Sequence, residues 1–150
     1  MYTSSDCTIY NRTILSGAET YQRTQILGVE WENKKAGNVI KSGLIAADQA
    51  SIYIPYARGT NYLASKAWQA LTSKTGKFTF QVGDYIVKGL VTDEIHEAIA
   101  YSAGPPIVPA VAAFTITSLK AKYDDVLQIK SVDFRDFGSI AMWHFELGAG

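Results

Sequence analysis

Two histidines, one cysteine and two carboxylate pairs are the side chains of this sequence whose types could support chemistry: His96, His144, Cys7, Asp93/Glu94 and Asp124/Asp125. Nucleophilic catalysis needs a Ser or Cys beside a base that a third group orients. No nucleophile elbow surrounds any serine. His144 stands in AMWHFEL, where strand alternation sets it opposite Trp143 and Phe145. It reads as a structural histidine on a strand surface, and His96, in TDEIHEA, as a solvated strand end. Asp93 and Glu94 are adjacent, so on a strand they point to opposite faces and do not form one acid–base pair. Asp124 and Asp125 follow Lys120 and Lys122 and fit the end of a short helix, without calcium-loop spacing. With Cys7 alone, neither an intramolecular disulfide nor a cysteine metal cluster can form. The expectation is therefore a protein that is not an enzyme, with no catalytic residue, no metal and no cofactor.

The glycines lead to the same place. GDYIVKG (83–89) contains neither G-x-G-x-x-G nor a P-loop, and TGK (75–77) precedes a strand rather than a helix. Gly83-Asp84 instead reads as a turn feeding a strand, with Tyr85, Val87 and Gly89 on one face and Ile86, Lys88 and Leu90 on the other.

The elements that position these residues are mostly strands, because short runs rich in Val, Ile, Thr, Tyr and Phe alternate with Gly, Asn and Asp. Strands are expected over 7–14 and over 20–33, the latter with a glycine bulge. Residues 38–56 look like two strands around a glycine and an Asp-containing turn, the second ended by Pro55. Residues 77–81, 84–95, 126–136 and 139–148 supply four more. Two short helices interrupt them. Residues 65–73 place Ala67, Ala70 and Leu71 at helical spacing behind a Ser65 cap, and 117–125 pair Leu119 with Tyr123 behind Thr117 or Ser118. The predicted fold is a mainly β single domain spanning 1–150, a small barrel or sandwich of about seven strands, with 97–113 as a loop or arm insertion.

Composition narrows the function further. The 150 residues carry fourteen basic and fourteen acidic side chains, so no net field draws the chain to nucleic acid or an anionic membrane. MYTSSDCTIY lacks the positive start and apolar core of a signal peptide, which leads to an expectation of synthesis and folding in the cytoplasm. The most apolar stretch, AIAYSAGPPIVPAVAAFTI (98–116), is broken by Pro105, Pro106 and Pro109, so it is not a membrane helix. Near-zero charge and a large aromatic share favour a part that fits against copies of itself. A β-barrel binding module for single-stranded nucleic acid or a small ligand is the alternative, since nine Tyr and three Trp supply stacking rings.

SIYIPYARGTNYLASKAW, FTFQVGDYIVKGLVTDEI and KYDDVLQIKSVDFRDFGSIAMWHFELGAG, preceded by CTIYNR, GVEW and GLIAAD, together resemble a family of minor structural proteins of tailed phages of Gram-positive hosts. More distantly, a strand ending in Pro, a GDYIVKG strand and a closing aromatic strand are similar to phage head-closure, or stopper, proteins. The resemblance implies a small β-barrel in a homo-oligomeric ring of the virion neck. That ring would lie between portal or adaptor and tail, with double-stranded DNA passing through it without sequence-specific binding and without contact to a membrane. A tail terminator or another head–tail joining protein is the neighbouring possibility. In such a ring, Pro105, Pro106, Ile107, Val108 and Val111 would belong to an arm packing on an adjacent subunit; the same stretch could equally fold over its own barrel. Lys34, Lys35, Lys41 and Lys74 are loop candidates for facing DNA or partners.

Overall fold

Alternating β-branched and aromatic residues produce the expected mainly β chain, seen here in a computed structural model that describes residues 4–15, 18–40 and 43–150, with side chains described outside 14–18 and 34–48. The strands are β1 (Ser5–Leu15), β2 (Ala18–Ile40), β3 (Gly43–Pro55), β4 (Tyr85–Lys88), β5 (Val126–Arg135) and β6 (His144–Ala149); the helices are α1 (Ser65–Gln69) and α2 (Ile116–Lys122). Every strand pairs antiparallel with two others, and the sheet closes on itself in the order β1-β2-β3-β6-β5-β4. Beyond the closed part, residues 34–40 of β2 and 43–49 of β3 continue as a two-stranded extension.

Among the described residues six strands form where about seven are expected, and the reason is local. Residues 77–81 run extended without joining the sheet, because the Asn11 side chain takes the place of a neighbouring strand. Its Oδ1 accepts from the Thr79 N–H at 3.2 Å and its Nδ2 donates to the Thr79 carbonyl at 2.7 Å. The strand expected over 84–95 stops at Lys88, since Gly89 turns the chain with φ +94°. Residues 38–56 hold parts of two strands, with 38–40 ending β2 and β3 beginning at Gly43, but not an Asp turn, since Asp48 lies inside β3, paired with Lys35. Lys34 and Lys35 are thus strand residues rather than loop residues, and Lys41 lies outside the described residues.

The interior follows the pleat. Ile9, Ile52, Ile54, Ile86, Ile129 and Leu147 have no exposed surface, and Phe78 and Phe80 fill the space between them. On β2 the pleat changes phase at a bulge. Cys7 faces Ile26 but Ser5 faces Val29, so one extra residue enters at Gly28 with φ +71°. Ile26, Val29 and Trp31 therefore point inward while Leu27 is exposed, whereas unbroken alternation groups Leu27 with Val29 and Trp31.

A second apolar layer lies outside the sheet. Tyr10, Val87, Val91 and Leu119 are buried together, joined by Tyr85, Tyr123 and Val126, so α2 covers the outer face of β1 and β4. β4 is consequently apolar on both faces, with Ile86 in one layer and Val87 in the other. The cap of α2 is Thr115 rather than Thr117 or Ser118. Its side chain accepts from the Ser118 N–H, and Ser118 closes a reciprocal capping box. In α1, Ser65 is the first helical residue rather than the cap, and Trp68 is the buried side chain, with Ala67 and Ala70 exposed. No helix among the described residues is long and apolar enough to cross a membrane.

Candidate assembly surface

Among the described residues, two clusters of exposed apolar side chains stand out, and each is held in place by local chemistry. The first is the segment between β4 and α2. Its base is pinned to the barrel: the Thr8 hydroxyl donates to the Gly89 carbonyl and accepts from the Val91 N–H, both at 2.8 Å. Arg23 and Gln25 each donate to the Val91 carbonyl at 2.9 Å, and the Tyr10 hydroxyl donates to the Asp93 carbonyl at 2.7 Å. The returning chain is tied to the same point, where the Asp93 carboxylate accepts from Lys122 Nζ at 2.8 Å and from the Tyr123 hydroxyl. Those two donors hold the Asp93 carboxyl below its ordinary range.

Beyond this base the chain runs out and back as two legs. Reciprocal backbone hydrogen bonds join His96 to Phe114, Ile99 to Val111 and Ser102 to Val108. At the tip, Gly104 has φ +79°, and a Cβ there would meet the Pro106 carbonyl carbon at 2.4 Å, so the turn requires glycine. Residues 96–113 are exposed throughout, including Pro105, Pro106, Ile107 at 69%, Val108 and Val111. The predicted arm residues thus fall on one excursion, with its root at His96–Ala98 and Ala113 beside Glu19–Tyr21 of β2 and its tip exposed.

The second surface surrounds the connection between β5 and β6. Aromatic rings continue outward from the core, with centroids 5.5 Å apart for Phe78 and Phe80, 5.0 Å for Phe80 and Phe145, and 4.9 Å for Phe145 and Phe134. Phe134 then meets Tyr56 and Trp143 at 5.8 and 5.9 Å, in water at the end of the row. Trp143 Nε1 donates to the Gly138 carbonyl, and the Tyr56 N–H to the Trp143 carbonyl, which fixes the loop against the 3₁₀ turn Tyr56–Arg58. Phe137, Ile140 and Met142 lie on that loop, each more than 60% exposed. Sequence reasoning assigned 139–148 to a strand and missed this platform; the run FGSIAMW, apolar yet without alternation, was the available signal.

The residues with chemical potential are not brought together. His96 is exposed at the base of the excursion, and His144 is on the outer face of β6, its ring 5.9 Å from Tyr53. Asp93 pairs with Lys122 and Glu94 with Arg23 at 3.3 Å, in separate ion pairs. Asp124 and Asp125 occupy the turn between α2 and β5. Lys74 sits in a turn, where its Nζ donates to the Leu71 carbonyl and lies 5.5 Å above the Trp68 ring. Among the described residues, no group of three or more His, Cys, Asp or Glu could hold a metal ion.

One buried polar cluster was not anticipated. Asp84 is 1% exposed, and its oxygens accept from the Arg12 N–H at 3.0 Å, Asn11 Nδ2 at 2.8 Å and Gln81 Nε2 at 2.9 Å. Burial pushes its carboxyl up, and those three donors oppose the shift. A cleft of about 520 Å³ opens beside it, lined by Arg12, Ser65, Gln69 and Gln81. Ser65 and Gln69 both donate to Gln81 Oε1, so the polar groups of this cleft bind one another and brace the end of the sheet.

A family model described as a family of unknown function, DUF6751, matches residues 2–150, and the chain belongs to that family. No curated protein and no solved structure matches the chain.

Proposed function

We propose that this member of the DUF6751 family is a structural subunit of the tailed-phage neck, without enzymatic activity. In this reading it is a head-closure protein that forms a homo-oligomeric ring in the virion between portal or adaptor and tail. The observation that carries the reading is the exposed excursion of residues 96–113. Fully burying a side chain such as Ile107 is worth roughly 1.5–3 kcal/mol, most of which is forgone at its 69% exposure. A loop serving only its own copy would recover that by folding back; here a pinned base and bonded legs leave those side chains exposed, which supports a role in contacting a partner.

The rest of the molecule supports the same role. The sheet closes on itself and gives the surface segments one frame from which to project. Balanced charge suits a passage through which double-stranded DNA moves without being gripped. A tail terminator would draw on the same features, and its position along the particle separates the two. Mass spectrometry of purified phage particles should detect this chain among the structural proteins; its presence in infected-cell lysate but never in particles would refute the proposal.

A binding module is the second reading, favoured by the half-exposed rings of Tyr56 and Phe134. It predicts salt-dependent affinity for short oligonucleotides that is lost on replacing those rings.

A further inference from the structure

We infer that copies of this chain join head to tail, with the excursion tip of one copy, Pro105 to Val108, seated on the aromatic platform of the next. The inference rests on the ring reading and names its contact. A rotational ring needs two different complementary patches on each copy, whereas an isologous dimer pairs one patch with itself. The chain presents two surfaces of opposite shape: a projecting tip, and a broad platform of Tyr56, Phe134, Phe137, Ile140, Met142 and Trp143.

Their chemistry matches. Residues 98–113 contain no Asp, Glu, Lys, Arg or His, and neither do residues 137–143, so the tip and this loop bring no ionisable side chain of their own, and the charges beside the platform, such as Arg135 and Asp136, belong at its rim. Pro105 and Pro106 have no N–H to strip of water and a backbone with little freedom to lose, which is why proline-rich segments seat well on aromatic surfaces. Ile107, beside them, is 69% exposed and supplies an apolar anchor. The leg from residue 97 to residue 105 spans up to roughly 25 Å when extended. That approaches the width of a small domain, about 30 Å. Among the described residues, the backbone hydrogen bonds of the legs run from one leg to the other, and the side chains of the tip stay exposed.

Cysteine pairs in the full-length chain test this. Ile107 and Met142 are 69% and 68% exposed, so Ile107→Cys and Met142→Cys leave the core intact. Cys7 does not compete, being fully buried with its thiol pushed up to about 12. Under mild oxidation, mixing the two single variants should give a disulfide-linked heterodimer in excess of either homodimer, and the double variant should give a ladder of higher oligomers. A dominant Ile107→Cys homodimer would mean tip-to-tip pairing and overturn the inference. Oligomers in light scattering without the mixed crosslink would overturn this contact and leave the ring reading standing. A chain that is monomeric at every concentration and uncrosslinked would also overturn the contact, while particle composition decides the neck role separately.

Discussion

Asn11 does the work of a missing strand. Its amide binds both backbone groups of Thr79 and one oxygen of Asp84, with every partner buried. Asn11→Ala strips both Thr79 backbone groups of their side-chain partner and leaves that Asp84 oxygen with Gln81 alone, and we expect a loss of about 2–4 kcal/mol in denaturant unfolding. Two carboxylates should report opposite pH dependences. Asp84 is held above its ordinary range, so its contribution is fully present below the unfolded carboxyl value and fades as pH rises through the folded one. Asp93 is held below its range, so its contribution is present above the unfolded value and fades as pH falls through the folded one. Lowering pH from 7 toward 3 should therefore favour wild type over Asp84→Asn, and should shrink the advantage of wild type over Asp93→Asn, as thermal unfolding of the three proteins will show. The role of His144 was legible because alternation along β6 is local, whereas Asp93 and Glu94, expected on a strand, lie beyond β4 and are separated by their ion pairs with Lys122 and Arg23. The Asn11–Thr79 contact was not legible, because its partners are 68 residues apart and meet only once the sheet closes.

At the scale of elements, local chemistry explains both what the sequence revealed and what it hid. Gly28 announced its bulge, since a lone glycine in an alternating run is where an extra residue enters most easily. α2 was legible from Leu119 and Tyr123 on one face, while its cap was misplaced because Thr115, Thr117 and Ser118 are equivalent until Ser118 reaches back to Thr115. Thr115→Ala should cost about 1 kcal/mol, measured by chemical denaturation. α1 depends on one ring: Trp68 is fully buried and donates from Nε1 to the Lys77 carbonyl at 3.0 Å, a contact across a loop that the spacing of Ala67 and Ala70 could not suggest. The excursion was visible as a proline-rich apolar stretch, but its paired legs were not, because bridges three residues apart follow neither strand nor helix periodicity.

At the scale of the whole molecule, folding and the proposed assembly draw on different parts of the chain. The core, the outer layer beneath α2 and the Asp84 cluster lie within the barrel and its immediate cover, whereas the excursion and the platform lie outside them. Replacing residues 98–113 with an Asn-Gly turn keeps the His96–Phe114 bridge as the end of a short hairpin. The product should unfold with nearly wild-type stability and fail to enter particles in a complementation assay; unchanged incorporation would remove the excursion from assembly. Equal numbers of acidic and basic residues excluded much and located nothing, whereas the fold shows where apolar surface remains uncovered. Cryo-electron microscopy of intact virions tests the central claim most directly. The account predicts a ring of this chain between portal and tail, with residues 96–113 of each copy in density against a neighbour. A neck reconstructed fully from other proteins, with this chain absent, would contradict it.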